Sequence, residues 1–487
     1  MAENTPQGIN ESLKRFSKIL TELEIHQIHS IQQTPLPIGV RINPLKSNPQ
    51  AAIQALAARY GWETKPVPFC ENAWTIERAS FPPGRTIEHR MGQFYLQDAA
   101  SMVPVSLLDF PEPHPLILDM AASPGGKTTH LIDRTLDQGF ILANDASQSR
   151  IPALRSVLSN WGGINIAVTN FPGELLGDWF PDTFDVILLD APCSMENLRP
   201  TPSHPLRETT PSERLRLQSR QEQLLRSGLK TLKIGGHLVY ATCSLAPEEN
   251  EAVIDKTIKS FPGTYVIDDV TDKHSIFSPG LTAFTSQNYD PSLIHSLRLW
   301  PHLTGMSGFF CARLKKISQI PFLPETSPSR DFSLTHLEPA TPHQQNQILE
   351  QISTNYGFDM GNILIEHQLT LFTRHEKVFL IPTIYLDNFL TLPFEYIGMQ
   401  VGDWIEESLQ PSHEFISRFG KDFTRGIIQI DKSQVDQWIS GRDIRHPQTN
   451  LTPQGQYLLV VDSAERNLGI GKLLPKRLRN MLPRGLI

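Results

Sequence analysis

Cysteine is scarce in this sequence. Only four cysteines occur in 487 residues, they lie far apart, and no two of them form a CxxC pair. This spacing excludes a disulfide-rich scaffold and a cysteine-based zinc site, and it leaves single cysteines as candidate reactive thiols. The four are Cys70, Cys193, Cys243 and Cys311.

Long apolar runs are absent as well. No run approaches the roughly 18 residues that a membrane-spanning helix needs. The opening MAENTPQGINES also lacks the apolar core of a signal peptide. We therefore expect a cytoplasmic protein that makes no membrane contact. The length of 487 residues is enough for two to four domains.

The sequence also lacks an overall excess of positive charge. Lysine and arginine number 44 against 51 acidic residues, which gives a net charge of −7 and argues against a large nucleic-acid footprint. The stretch 466–487 is the exception, because it contains basic residues and no acidic one. By itself this pattern fits a solvated terminus as well as a nucleic-acid contact. Its basic residues are Arg466, Lys472, Lys476, Arg477, Arg479 and Arg484.

Strand-like and helix-like segments alternate between Pro115 and about Lys316. This alternation predicts an α/β fold with a mainly parallel, doubly wound sheet. Ligands of such sheets bind beyond the carboxyl ends of the strands. The predicted strands are 116–119, 140–144, 164–168, 184–190 and 236–242.

The flanking segments predict further domains. Residues 1–105 have the pattern of a small α+β domain that begins with an amphipathic helix over 12–25. The segment 106–316 forms the main domain, and 317–345, rich in Pro, Ser and Thr, forms a linker. We expect a small mixed domain over 346–405 and a last domain over 406–487.

The stretch LILDMAASPGGKTTHL (116–131) passes from a strand through a loop of small residues into a helix. This order is typical of a nucleotide-type cofactor site, since small residues allow close approach and a helix N-terminus offers free N–H groups. Asp145, after the next strand, is expected to bond ribose hydroxyls, to cap a helix, or both. The loop consists of Ala121, Ala122, Ser123, Pro124, Gly125, Gly126 and Lys127.

Two other activities fit less well. GGKTT is similar to a phosphate-binding P-loop, but Ala121 stands where that motif needs glycine, and no Mg²⁺ partner is evident. A Cys–His protease would use one of the cysteines, but no histidine has a distinctive sequence context, and a protease leaves the cofactor loop unexplained.

Cys193 and Cys243 each follow a predicted strand in a polar, turn-forming context, DAPCS and ATCS. Exposed thiols near a helix start or a basic group are nucleophilic, whereas Cys70 and Cys311 are expected to be small core residues.

The chain resembles the Sun-type RNA (cytosine-5-)methyltransferases over almost its whole length. The matching motifs occur in the family's order and spacing, and two C-terminal stretches resemble its appended RNA-binding, PUA-like region. The motifs are VRINPLK (40–46), GQFYLQDAASM (92–102), the loop above, ANDASQSR (143–150), LLDAPCS (188–194), VYATCSLAPEENEAV (239–253), LWPHLTGMSGFFCARLKK (299–316), PFEYIGMQVGDW (393–404) and LGIGKLLPKRLRNMLPR (468–484).

This resemblance implies a Rossmann-like class I methyltransferase domain between a small α+β domain and α+β or β-rich C-terminal domains. It implies S-adenosylmethionine as cofactor, held by the 121–127 loop, Asp145 and Asp190. It further implies Cys243 as the nucleophile, Cys193 as the cysteine that helps release product, and Asp190 as the group that activates the base. The first, fourth and fifth strands are neighbours in such sheets, which would bring both cysteines to one pocket.

The implied partner is RNA, with 16S ribosomal RNA or the 30S subunit as substrate, tRNA as an alternative, no metal, and a monomeric enzyme. RNA binding then becomes the favoured role of the basic stretch.

Two departures from the family pattern leave a third possibility, an RNA-binding assembly factor with a degenerate pocket. Met195 and Asn197 replace glycines of the family, and Pro172 replaces an aspartate near the cofactor's adenine, where Asn170 is a possible substitute.

Overall fold

The computed structural model describes residues 11–110, 113–196, 209–270, 276–447 and 456–487. Its first part is a four-stranded sheet in the order β2-β3-β1-β4 with helices around it. The elements are α1 (Glu11–Lys14), α2 (Glu22–Gln32), α3 (Pro49–Tyr60), α4 (Ile87–Arg90), β1 (Ile38–Ile42), β2 (Trp62–Pro66), β3 (Ala73–Ala79) and β4 (Phe94–Leu96).

The helix predicted over 12–25 is wrong as a single element. A short 3-10 turn follows α1, and α2 begins only after Thr21. The Thr21 hydroxyl accepts from the backbone N–H of Glu24, whose carboxylate accepts from the N–H of Thr21, so a complete capping box starts a new helix.

The middle of the chain forms the α/β domain predicted from the sequence. Its helices are α5 (Val103–Ser106), α6 (Gly126–Thr135), α7 (Ile151–Trp161), α8 (Leu176–Trp179), α9 (Pro211–Thr231), α10 (Glu251–Ser260) and α11 (Pro301–Thr304). Its strands are β5 (Leu116–Asp119), β6 (Phe140–Asn144), β7 (Ile166–Thr169), β8 (Phe184–Asp190), β9 (Leu232–Thr242), β10 (Tyr265–Ile267), β11 (Ser278–Pro279), β12 (Ala283–Phe284), β13 (Gln287–Asn288), β14 (Leu297–Leu299) and β15 (Phe309–Lys316).

The large sheet runs in the order β11-β14-β15-β9-β8-β5-β6-β7-β19, where β19 is Tyr396–Ile397 of the C-terminal part, and β10 is paired to β15. The five strands β9, β8, β5, β6 and β7 are parallel to one another, as predicted. β15 is antiparallel to β9, and β14 is antiparallel to β15. β7 begins two residues later than predicted because the Asp137 carboxylate accepts the N–H groups of Ile164 and Asn165. β9 begins earlier, through an irregular register beside Phe184.

Helices cover both faces of this sheet. Leu116 and Leu118 of β5 lie in one buried cluster and Ile117 lies in the other. Successive side chains of a strand point to opposite faces, so the sheet separates two apolar cores. The first core also contains Phe16, from the 3-10 turn near the N-terminus.

The C-terminal part contains two further five-stranded sheets, β16-β17-β18-β20-β21 and β22-β24-β25-β26-β23. Its helices are α12 (Pro342–Tyr356), α13 (Met360–Glu366), α14 (Thr383–Phe389), α15 (His413–Phe419) and α16 (Lys432–Ile439). Its strands are β16 (Glu338–Pro339), β17 (Leu369–Arg374), β18 (Lys377–Pro382), β19 (Tyr396–Ile397), β20 (Met399–Ile405), β21 (Ser408–Pro411), β22 (Ile427–Ile430), β23 (Ile444–Arg445), β24 (Tyr457–Asp462), β25 (Asn467–Leu474) and β26 (Arg477–Asn480).

The parts of the chain are joined by buried contacts. The short strand β19 pairs with β7 and so extends the central sheet. The domain limits at 105, 316, 345 and 405 stay a prediction. Among the described residues, no helix has the length and apolar character to cross a membrane.

One arginine of the N-terminal sheet is anchored in the central domain. Arg41 on β1 is fully buried and forms an ion pair with Asp133 on α6. Its guanidinium also donates to the carbonyl of Gly126 (2.9 Å) and to the hydroxyl of Thr129 (2.5 Å). The ring of Trp161 lies 5.0 Å from the guanidinium carbon. The helix that follows the predicted cofactor loop is thus held from the N-terminal domain.

Candidate active site

The neighbouring strands β9, β8 and β5 bring three predicted segments to one edge of the sheet. Asp190, the last residue of β8, is in register with Ala241 on β9, and Leu188 is in register with Asp119 at the end of β5. The cofactor loop, the Cys193 segment and the Cys243 segment therefore leave the sheet side by side.

The two cysteines predicted to act chemically are in contact. The Sγ atoms of Cys193 and Cys243 are 3.1 Å apart, and both residues are partly exposed. Cys70 and Cys311 are buried, as expected of core residues, and burial raises the pKa of the Cys70 thiol to about 11.

Lys127 and Asp190 form an ion pair beside the sulfur atoms. Lys127 Nζ donates to Asp190 Oδ2 at 2.7 Å and lies 5.4 Å from the centre of the Phe309 ring. Burial opposes the charge of Lys127, but the carboxylate of Asp190 and the thiol of Cys243 outweigh it and raise the pKa of the lysine. Lys127 is therefore a cation that interacts electrostatically with Cys243. The sequence placed Lys127 in the cofactor loop, but the ammonium group contacts Asp190.

The cofactor loop ends in an open helix N-terminus. Gly125, at the N-cap of α6, has φ +110°, and no side chain caps the helix. A Cβ at Gly125 would lie 2.9 Å from Val157 Cγ1 of α7, so glycine is needed for the close packing. The N–H groups of the first turn of α6, which no side chain caps, suit a carboxylate such as that of the methionine part of the cofactor.

Asp119 is a site residue that the sequence analysis missed. Its Oδ2 accepts from the Thr128 hydroxyl at 2.7 Å, whereas its buried Oδ1 has no hydrogen-bond partner among the described residues. Burial raises the pKa of this carboxyl to about 7. An unsatisfied buried acceptor is costly, and beside the cofactor loop it fits a cationic amino group. The available signal was its position as the last residue of β5.

Asp145 organises the other side of the loop. Its Oδ2 accepts from the N–H of Ser123 at 3.1 Å and its Oδ1 from the N–H of Ser147 at 2.9 Å. Ser147, not Asp145, is the N-cap of the short 3-10 turn that follows β6. The ribose contact of Asp145 stays a prediction.

Pro172, which replaces an aspartate of the family, lies beyond the end of β7. Pro172 is the N-cap of a 3-10 turn. The amide of Asn170 donates to the carbonyl of Asp145 at 2.6 Å. Asn170 thus joins the ends of β6 and β7, and its contact with adenine stays a prediction.

We expect cofactor affinity to depend on the charge of Asp119. If the Asp119 carboxylate binds the α-ammonium of S-adenosylmethionine, affinity should fall by about tenfold as the pH is lowered from 7.5 to 6, because a group of pKa about 7 becomes protonated. Asp119→Asn should bind more weakly and show little of this dependence. Calorimetric titration of both proteins at the two pH values measures the difference; identical profiles would contradict the contact.

The Asp119 carboxyl makes folding stability depend on pH in the opposite direction to cofactor affinity. Its pKa is raised on folding, so the stabilisation that it contributes is present below the unfolded pKa of about 4 and is lost as the pH rises to 7.

Met195 lies next to the cysteines in a left-handed backbone conformation. Its φ is +57°, and 43% of its surface is exposed. The neighbouring Glu196 is buried and bonded to Arg214 (2.5 Å), which fixes the backbone on one side. Asn197, the other predicted departure, lies outside the described residues.

Met195→Gly should therefore raise the free energy of unfolding by about 0.5–1 kcal/mol, because relief of roughly 1–2 kcal/mol of left-handed strain exceeds the entropic cost of glycine. Urea denaturation of both proteins measures this change in the free energy of unfolding, and the m-value should stay the same. A loss of stability would show that the methionine side chain contributes more than the strain costs.

The basic C-terminal stretch is only partly free to contact a ligand. Arg466 forms ion pairs with Asp462 and with the buried Glu88. Arg477 pairs with Asp443 at 3.0 Å. Lys476, Arg479 and Arg484 are exposed. Among the residues that the structure describes, no group of three or more His, Cys, Asp or Glu side chains could hold a metal ion.

Comparison with known families gives consecutive matches along the chain. The family model of the 16S rRNA methyltransferases RsmB/F matches residues 105–315. The model of the N-terminal domain of 16S rRNA methyltransferase RsmF matches residues 10–99, and that of the RsmF PUA domain matches residues 425–487.

The chain is also similar to individual proteins. It is 32% identical to ribosomal RNA small subunit methyltransferase F of Klebsiella pneumoniae over 493 residues, which covers 100% of this chain and 98% of that protein. It is 33% identical to the protein of that name from Salmonella arizonae over 459 residues, with 93% and 91% covered.

Solved structures agree with this similarity. A methyltransferase homolog protein from Pyrococcus horikoshii is 31% identical, with a TM-score of 0.54 over 63% of this chain and 99% of that one. NSun6 from the same organism, at 20% identity, shares the fold, with a TM-score of 0.53 over 64% of this chain and 98% of that one.

Proposed function

Because the chain belongs to the RsmB/F family of S-adenosylmethionine-dependent RNA methyltransferases, we propose that it methylates carbon 5 of a cytosine in 16S ribosomal RNA through a covalent cysteine adduct. The observation that carries the proposal is the 3.1 Å contact between Cys193 and Cys243 beside the Lys127–Asp190 pair and the cofactor loop. An enzyme that used the cofactor alone would need neither thiol.

Cys243 acts as the nucleophile. Carbon 5 of cytosine is a poor nucleophile until a group adds to carbon 6, and a thiolate is suited to that addition. The Lys127 ammonium, whose pKa is raised partly by Cys243, is a cation that interacts with this sulfur. Bound S-adenosylmethionine supplies the methyl group that carbon 5 then receives.

Asp190 contacts the polar edge of the base. Its carboxylate is partly exposed and held by Lys127, so it accepts a hydrogen bond from the exocyclic amine or shares a proton with the ring nitrogen. Either contact stabilises the charge that develops in the ring when Cys243 adds.

Cys193 removes the proton from carbon 5, which allows Cys243 to leave. In the free protein the pKa of Cys193 is held well above its usual range, first by the contact with Cys243, then by burial, and then by the charges of Cys243 and Glu249. Both effects of Cys243 disappear when its sulfur is bonded to carbon 6. Cys193 therefore releases its own proton to solvent more readily once the adduct has formed, and its thiolate then accepts the proton of carbon 5.

RNA is held by the flanking domains. The base must leave its stack to reach the cysteines, which costs a few kcal/mol, and contacts elsewhere on the RNA offset this cost. The exposed Lys476, Arg479 and Arg484 of the PUA region are suited to phosphate groups. A ribosomal substrate places the enzyme in the cytoplasm.

The substrate is tested with purified protein and radiolabelled S-adenosylmethionine. We expect label in 16S RNA, either free or in 30S particles, and little in bulk tRNA. Mapping of 5-methylcytosine in RNA from cells with and without the protein then identifies the nucleotide. Label in tRNA alone would support the same chemistry but identify tRNA as the substrate. If no RNA is labelled and no cofactor binding can be measured, the protein is an RNA-binding assembly factor and not a methyltransferase.

A further inference from the structure

A buried glutamate joins the two segments that carry the cysteines. Glu249 is fully buried and accepts four hydrogen bonds. From the Cys193 segment, Ser194 donates its N–H at 2.8 Å and its hydroxyl at 2.5 Å. From the Cys243 segment, Ser244 donates its hydroxyl at 2.9 Å, and Gln221 of α9 donates its amide at 3.1 Å. The residues directly after both cysteines therefore share one carboxylate.

The backbone around Glu249 is held in place on both sides. The buried Arg298 donates to both carboxylate oxygens of Glu251 (2.6 and 2.5 Å) on the C-terminal side and to the carbonyl of Leu245 (2.9 Å) on the N-terminal side. The hydroxyl of Tyr240 donates to the carbonyl of Glu249 at 2.6 Å. These contacts fix the segment that carries the carboxylate, so a shift of either serine breaks hydrogen bonds to a buried charged group, which is costly.

Different charged groups interact with the two sulfur atoms. The charge of Glu249 raises the pKa of the Cys193 thiol, after the larger effects of Cys243 and burial. Cys243 interacts with the Lys127 ammonium, which is paired with Asp190. Burial, followed by the charges of Glu249 and Cys193, also raises the pKa of the nearby Tyr240 hydroxyl. Two identical side chains in contact are thus given different electrostatic surroundings.

We propose that Glu249 is a positioning residue that fixes Cys193 relative to Cys243, so that one sulfur adds to the base and the other takes the proton from carbon 5. The inference rests on the proposed function for its chemistry, and it assigns to Glu249 a role in product release. The sequence motif LAPEEN contains this residue but does not show that its side chain reaches Ser194.

The test compares Glu249→Gln with Glu248→Gln. Glutamine keeps the size of the side chain but removes the charge and faces the N–H of Ser194 with a second donor. Glu248 is the neighbouring residue, bonds to Arg15 and contacts neither serine, so it serves as the matched control. Ser194→Ala and Ser244→Ala each remove one hydroxyl contact with Glu249, and they replace Glu249→Gln if that variant does not fold.

Two measurements are made on each protein. The first is turnover on substrate RNA together with the fraction of enzyme linked covalently to RNA at steady state. The second is alkylation of Cys193 and Cys243 by iodoacetamide as a function of pH, without RNA, read by peptide mass spectrometry. The second does not depend on the methylation reaction.

We expect Glu249→Gln to lower kcat at least tenfold, to leave KM within about twofold, and to raise the RNA-linked fraction severalfold. Alkylation of Cys193 should begin at lower pH, and that of Cys243 should change less. The serine variants should shift the same quantities less, and Glu248→Gln should match the wild-type enzyme.

A purely structural role gives a different result. Turnover and the RNA-linked fraction would then fall together with the folded fraction, and the order of alkylation would not change; this outcome, or no change at all, overturns the proposal. Failure of the proposed function is distinguished by the wild-type enzyme, which would then form no covalent complex with RNA that contains 5-fluorocytidine.

Discussion

Replacing Cys243 with alanine is expected to abolish methylation while leaving RNA binding within about threefold of the wild-type value. Alanine cannot add to carbon 6, and loss of a covalent nucleophile lowers kcat by roughly 10⁴-fold or more. The substitution removes one partly exposed sulfur atom and leaves the flanking domains untouched. Turnover with radiolabelled cofactor and a filter-binding titration measure the two quantities.

Cys70→Ala is the matched control for this experiment. Cys70 is also a free cysteine, but it is buried, and its sulfur contacts His130 Nε2 at 3.4 Å instead of either predicted catalytic cysteine. We expect this variant to keep its activity with a small loss of stability. If Cys243→Ala still methylates RNA, Cys243 is not the nucleophile. Among the described residues, no other sulfur contacts Cys193 and could replace it.

Replacing Cys193 with alanine is expected to trap the protein on its RNA. Addition by Cys243 and methyl transfer remain possible, but the thiol that takes the proton from carbon 5 is missing, so Cys243 leaves the base only slowly. The 3.1 Å separation of the sulfur atoms places the missing group directly beside the bond that must break. Turnover should fall by about 10²–10⁴-fold, the scale of a lost general base, and a protein–RNA band should survive denaturing electrophoresis.

The double variant Cys193→Ala, Cys243→Ala is the control, because the band must disappear when the linking sulfur is absent. Formation of a band in the double variant would mean that another residue makes the link. Normal turnover without any band in Cys193→Ala would exclude a role of this thiol in release.

Much of the central domain could be predicted because its signals are local. The strands over 116–119, 140–144 and 184–190 are short apolar runs bounded by turn residues, and the structure has the same limits. The break in the first helix was also visible in the sequence, as Thr21 and Glu24 of a capping box, but the apolar spacing across it favoured one continuous helix.

The contacts that set the chemistry depend on pairs distant in sequence. Ser194 and Glu249 are 55 residues apart, and Lys127 and Asp190 are 63 apart. No periodicity or spacing rule connects such pairs, since the pairing of β8 with β9 and with β5 determines them. The sequence therefore indicated which segments meet, but not which side chain of one reaches the other.

Arg41 gives the catalytic domain an unusual dependence on its neighbour. Asp133 is buried in α6 and has its charge compensated from the N-terminal sheet. Removal of one partner from a buried ion pair costs about 3–5 kcal/mol, a large part of the stability of a typical domain. The catalytic domain therefore depends on the N-terminal domain for its stability. Shortened forms or fusions of this enzyme must keep the two domains together.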